Sequence, residues 1–185
     1  INMLSSLTVM SHLLIAFIIL ITAIYVNQAL INKEMDKNMI WWKYLLSIPL
    51  SLTLVQSVIG VRLSSTWSAH LCLSFNQNCI VLNSHKLFAI PVFVSILSII
   101  LVSFLKFDLF KNNWKFLLST FILLSLQITL GILSLKTNLN EPLIIISHQI
   151  VATLMVAILS TLIFKKSSEN IVFNSTKTKV ILGFN

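Results

Sequence analysis

The chain has 185 residues, 57% hydrophobic and only 10% charged, with a formal net charge of +8. A soluble domain usually carries about a quarter charged residues, so this chain lacks the polar shell that a water-facing surface needs. The positive charge does not make a nucleic-acid surface either, because the lysines flank long apolar runs and form no dense basic stretch.

A helix needs about 20 mostly apolar residues to cross the hydrocarbon of a bilayer. Five runs qualify, and they are expected as transmembrane helices. The first is Val9–Leu30, which opens on Ser11 and His12 with Ala16 beyond. A connection with Lys33, Lys37, Trp41, Trp42 and Lys43 leads to the second run, Tyr44–Leu63, which holds Gln56, Gly60 and Arg62. The segment 64–83 carries His70, Cys72 and Cys79. The third run, Ser84–Leu105, opens on Ser84, His85 and Lys86 with Ala89 one turn on. Lys106, Lys111 and Lys115 mark the next connection; the fourth run, Trp114–Leu135, holds Gln127 and Gly131. After Lys136 comes the fifth, Leu143–Phe164, with Ser147, His148 and Ala152, and then a tail with Lys165, Lys166, Lys177 and Lys179. By the positive-inside rule the lysine-rich connections and the tail are cytoplasmic, with the N-terminus and segments 64–83 and 136–142 outside. Trp41, Trp42, Tyr44 and Trp114 then form the inner aromatic belt.

A repeat organises these runs. Three begin with the pattern S-H-x-x-x-A, at His12, His85 and His148; two carry Q-x-x-x-G, at Gln56 and Gln127. Residues four apart share one helix face, so each histidine has a small residue one turn deeper. Glycine in a membrane helix permits close helix contact. The unit is a Q-x-x-x-G helix, an outer connection and an S-H-x-x-x-A helix. Residues 44–105 form one copy and 114–164 another. His12 reads as the end of an earlier copy, and the chain starts at Ile1, so it reads as cut from something longer. The expected fold is an all-α membrane protein of five transmembrane helices, four of them an antiparallel bundle built from the two-helix repeat. Residues 1–43 are the last helix of a truncated N-terminal half plus a cytoplasmic loop. Residues 44–166 form the four-helix bundle, and 167–185 a cytoplasmic tail.

An ionisable group inside a membrane helix is costly and usually functional. A lone histidine is most simply a hydrogen-bonded core residue, but three in register with the same Ser and Ala argue for more. Zinc needs further ligands. A proton relay usually has Asp or Glu in the membrane, and none falls inside the five runs. Two facing imidazoles above small residues suit axial ligation of a haem, whose flat ring slots between the helices of a bundle. His70 has no repeat partner and reads as solvated. Cys72 and Cys79, the only cysteines, lie in the external segment, where an oxidising environment favours a disulfide.

The Q-x-x-x-G helix ending in Val61 and Arg62, the external cysteine pair, and S-H-K-L-F-A together resemble the haem A synthase family, as do LLSLQITLGILSL and ISHQIVATLMVAIL. The resemblance covers nearly all of 9–164. It implies an oxidoreductase of a bacterial plasma membrane that converts a methyl group of haem O to the formyl of haem A. This chain would be its C-terminal, haem b-binding portion plus one preceding helix. It implies His85 and His148 as the axial ligands of haem b, His12 as a histidine of the haem O half, and Cys72 and Cys79 as the external cysteine pair. One or both of Arg62 and Lys86 are expected to face the haem carboxylates, with which basic groups pair; simple snorkelling to the membrane interface is the alternative. Implied partners are haem O and the lipid bilayer, with haem O synthase or terminal oxidase assembly factors beyond them. The family often has Arg after the first histidine, where this chain has Lys86. The carboxylate that precedes the first histidine of the family's catalytic half has no counterpart, since Leu82, Asn83 and Ser84 precede His85. A non-catalytic haem subunit that relays electrons or assists oxidase assembly is the alternative.

Overall fold

In a computed structural model, residues 6–31, 40–64 and 79–165 are described. His70, Cys72 and the tail from Lys166 lie outside them. The described residues form helices α1 (Ser6–Leu30), α2 (Ile40–Ser64), α3 (Ile80–Leu105), α4 (Phe107–Lys136) and α5 (Pro142–Phe164), with no strand among them. All five are long and apolar enough to cross a membrane. A helix satisfies its backbone hydrogen bonds internally, which hydrocarbon demands. Most helical hydroxyls do the same: Ser51, Thr53, Ser57, Thr120 and Thr161 each donate to the carbonyl four residues earlier.

Helices α2, α3, α4 and α5 form a ring in which α2 touches α3 and α5, and α4 touches α3 and α5. The two-helix units α2–α3 and α4–α5 are thus its halves, and α3 and α5 stand diagonally opposite. Helix α1 packs outside, against α5 and α2. Tyr25, late in α1, meets Phe164 at the end of α5 with ring centroids 5.3 Å apart, so these two helices run parallel. Their neighbours run the other way. Lys165, just past α5, donates to the Asn112 carbonyl and to Asn113 Oδ1, early in α4. Lys106, just past α3, lies 4.4 Å over the ring of Trp41, at the start of α2.

Residue size divides the bundle along its length. Leu46, Ile96, Ile99, Val156 and Leu159 are fully buried and fill the half near Lys106 and Lys165. Trp42, Leu109 and Leu162 complete that core. Toward the other end the inward positions are small or polar: Gly60, Ala89, Gly131 and Ala152, with Thr53 and Ser57. Close packing cannot be completed with such side chains, and a cavity results.

The two connections that lie wholly within the described residues are tight. Lys106 alone separates α3 from α4, so α4 begins at Phe107, well before the apolar run that starts at Trp114. Phe104 and Phe110 stack across this turn at 4.6 Å. At the opposite end α4 closes in a Schellman turn: Leu139 N–H donates to the Ser134 carbonyl and Asn138 N–H to that of Leu135. Asn138 and Leu139 both take positive φ, 52° and 57°.

Candidate functional site

The cavity, about 330 Å³, lies between the four ring helices, with Leu13 and Phe17 of α1 on its wall. That size falls within the roughly 300–1,000 Å³ of small-molecule sites. His85 and His148, each in the second turn of its helix, line it. Because α3 and α5 are diagonal in the ring, the two imidazoles meet across it, with ring centroids 6.5 Å apart and planes inclined at 66°.

Each imidazole is gripped by the partner helix of its own unit. Gln56 Nε2 donates to the His85 main-chain carbonyl at 2.9 Å and lies 3.4 Å from His85 Nε2. Gln127 Nε2 lies 3.1 Å from His148 Nε2. One turn further along, the glycine of each Q-x-x-x-G pattern sits against the ring. A Cβ on Gly60 would stand 3.1 Å from His85 Cε1, and a Cβ on Gly131 would stand 3.2 Å from His148 Cε1. Gln and Gly four apart therefore act together, one holding the ring nitrogen and the other leaving the ring room. The close helix contact expected at each glycine is present, and what it admits is the imidazole of the neighbouring helix. That role was hidden because Gln56 and Gly60 belong to a different helix from His85. The signal for it is that Q-x-x-x-G precedes S-H-x-x-x-A in both copies.

Ala89 and Ala152 line the same cavity one turn deeper, and Lys86 and Gln149 line it beside the histidines. Arg62, exposed near the end of α2, is not among the lining residues. His12 is also exposed and outside the cavity; its Nδ1 donates to the Thr8 carbonyl at 2.8 Å. The structure thus brings His85, His148 and Lys86 to one site and leaves His12 on the outside of α1. Cys79 immediately precedes α3, at the cavity end of the bundle, while its expected partner Cys72 is outside the described residues.

Four buried polar atoms on the histidines and glutamines have no hydrogen-bond partner: Gln56 Oε1, Gln127 Oε1, His85 Nδ1 and His148 Nδ1. Buried polar atoms normally find partners, and such a cluster is a mark of a binding site. Among the described residues no group of three or more His, Cys, Asp or Glu could hold a bare metal ion. Two opposed imidazoles suit instead the axial positions of a metal whose other ligands come with it.

Comparison of the chain with protein-family models, with curated protein sequences and with solved structures gives no match.

Proposed function

We propose that the cavity binds haem b between His85 and His148, and that the chain is the C-terminal portion of a haem A synthase, an oxidoreductase acting on haem O. The observation that carries the reading is the 6.5 Å separation of the two imidazoles across an apolar cavity. His85 and His148 would each hold the haem iron through one ring nitrogen at about 2 Å, and the 6.5 Å between their ring centres leaves room for that. The paired spacing of the rings, their glycine cradles and the small residues beneath them fit a flat macrocycle. When bound, the haem would supply one-electron redox chemistry, while the protein sets ligation and polarity.

The chain's own residues have separable tasks in this reading. His85 and His148 ligate, Gln56 and Gln127 orient them, and Lys86 faces a haem carboxylate. Apolar walls from Val92, Leu124 and Met155 exclude water. A Cys72–Cys79 disulfide would fix the outer segment over the haem edge. The lysine-rich end lies in the cytoplasm of a bacterial plasma membrane, with the N-terminus outside. Haem O and its methyl oxidation would engage an upstream half that meets α1, where His12 faces outward. Haem O synthase and terminal oxidase assembly factors are the natural neighbours in the membrane.

One observation favours a second reading. The cavity gathers one histidine pair and leaves His12 outside it, which is all that a non-catalytic haem subunit relaying electrons or assisting oxidase assembly requires. Sequence upstream of Ile1 separates the two: a carboxylate ahead of a further histidine helix supports the synthase. Co-expression of the whole gene with haem O synthase, followed by haem extraction, tests it directly. Accumulation of haem A supports the enzyme, and haem O alone supports the subunit.

A further inference from the structure

We propose that Gln56 and Gln127 are positioning residues that fix the tautomer of the paired histidines, keeping each Nε2 free of a proton and ready to ligate a metal. The inference deepens the haem reading and rests on it for its purpose, though not for its geometry.

The amide nitrogen of Gln56 is 2.9 Å from the main-chain carbonyl of His85, and a carbonyl only accepts. The NH₂ group, not the amide oxygen, therefore faces α3. The same nitrogen is 3.4 Å from His85 Nε2. An amide NH₂ only donates, so Nε2 must be the accepting, unprotonated nitrogen of a neutral ring. The proton then resides on Nδ1. In the second copy of the repeat the equivalent amide nitrogen is 3.1 Å from His148 Nε2; among the described residues no carbonyl orients this amide, and its assignment rests on the equivalence of Gln127 with Gln56 in the repeat. Which ring nitrogen of a histidine carries the proton is set by the hydrogen bond that the other makes. Here that bond is made at the nitrogen that must coordinate, so the ligating lone pair is selected in advance. A metal held by Nε2 would take the place of the amide donor, and the ring would have no proton to lose there.

The two copies differ in how firmly they do this. Gln56 is anchored mainly by the His85 carbonyl and touches Nε2 at the longer distance. Gln127 makes its contact at Nε2 itself and has no such main-chain anchor, while the amide oxygens of both glutamines have no partner. His148 thus depends on its glutamine for its tautomer more than His85 does.

Nitrogen-15 NMR of histidine-labelled full chain in detergent, without haem, reads the tautomers directly. The expected result is Nδ1–H for both His85 and His148. In Gln127→Leu the His148 signals should shift toward the Nε2–H form, with haem affinity several-fold weaker. Gln56→Leu should shift His85 by less. A purely structural glutamine would weaken binding without moving the tautomer. An Nε2–H form at His148 in the unsubstituted protein, a measurement that needs no variant, would overturn the proposal. So would a His148 tautomer unchanged in a folded Gln127→Leu. Titration of the unsubstituted protein with ferric protoporphyrin separates the two readings. Absence of a low-spin spectrum there ends the haem reading, while the NMR result decides the role of the glutamines.

Discussion

Gly60 lies directly against the imidazole of His85: a Cβ at this position would be 3.1 Å from Cε1 and 3.6 Å from Nδ1. Gly131 and His148 repeat the relationship at 3.2 and 3.8 Å. Gly60→Ala or Gly131→Ala should therefore displace the ring by a few tenths of an ångström. The ring borders a cavity and can move, so the fold should lose less than the roughly 1–3 kcal/mol of an overpacked core. Haem affinity should fall several-fold, because axial ligation tolerates little displacement. Thermal melts and haem titration of the two variants check this, and unchanged titration curves would refute the cradle.

Lys86 and Gln149 occupy equivalent positions in the two repeat copies, and both line the cavity. One edge of the site therefore carries a cation and the other does not. Lys86→Gln should weaken binding of a dicarboxylate haem several-fold and reduce its salt dependence, since the lost contact is ionic. Arg62→Ala should have the smaller effect, because Arg62 does not line the cavity. Titrations at two ionic strengths would show it, and a larger loss in Arg62→Ala would contradict it.

Leu139 holds a positive φ of 57°, a conformation costing an L-residue about 1–2 kcal/mol, and its side chain lines the cavity. The Schellman turn places it there, with Asn138 in the left-handed position where glycine or asparagine is usual. Leu139→Gly should relieve the strain and leave the melting temperature unchanged or higher. Haem transfer to an acceptor globin should be several-fold faster. An unchanged transfer rate would show that Leu139 does not cover the ligand.

The apolar runs made the five helices legible, because bilayer thickness and hydropathy set their length. Helix starts were less so. The segment from Phe107 to Asn113 mixes Asp108, Lys111, Asn112 and Asn113 into an apolar stretch, which ends a hydropathy run but not a helix. Leu109 and Asn113 are buried there, and Asn113 Nδ2 returns to the Leu109 carbonyl at 3.0 Å. Tertiary packing and Lys165 carry α4 past the membrane-length run. The repeat made the histidines and their underlying alanines legible, since i and i+4 share a face. The grip of Gln56 and Gly60 on His85 was not, because it depends on which helices are neighbours, and that follows from the ring alone.

Among the described residues, Lys43, Lys106, Lys111, Lys115 and Lys165 flank one end of the bundle, and Arg62, Lys86 and Lys136 the other. The first end should be cytoplasmic. After reduction, a membrane-impermeant thiol reagent applied to intact cells should label Cys79. Labelling only after lysis would reverse the orientation.

His85 and His148 are proposed to ligate one haem. The most direct measurement is the optical spectrum of the detergent-purified chain and its three single histidine variants. The unsubstituted protein and His12→Ala should both show a low-spin, bis-histidine b-type spectrum, and His85→Ala and His148→Ala should each lose it. Retention of that spectrum in either of the last two, or its absence from the unsubstituted protein reconstituted with haem, would contradict the account.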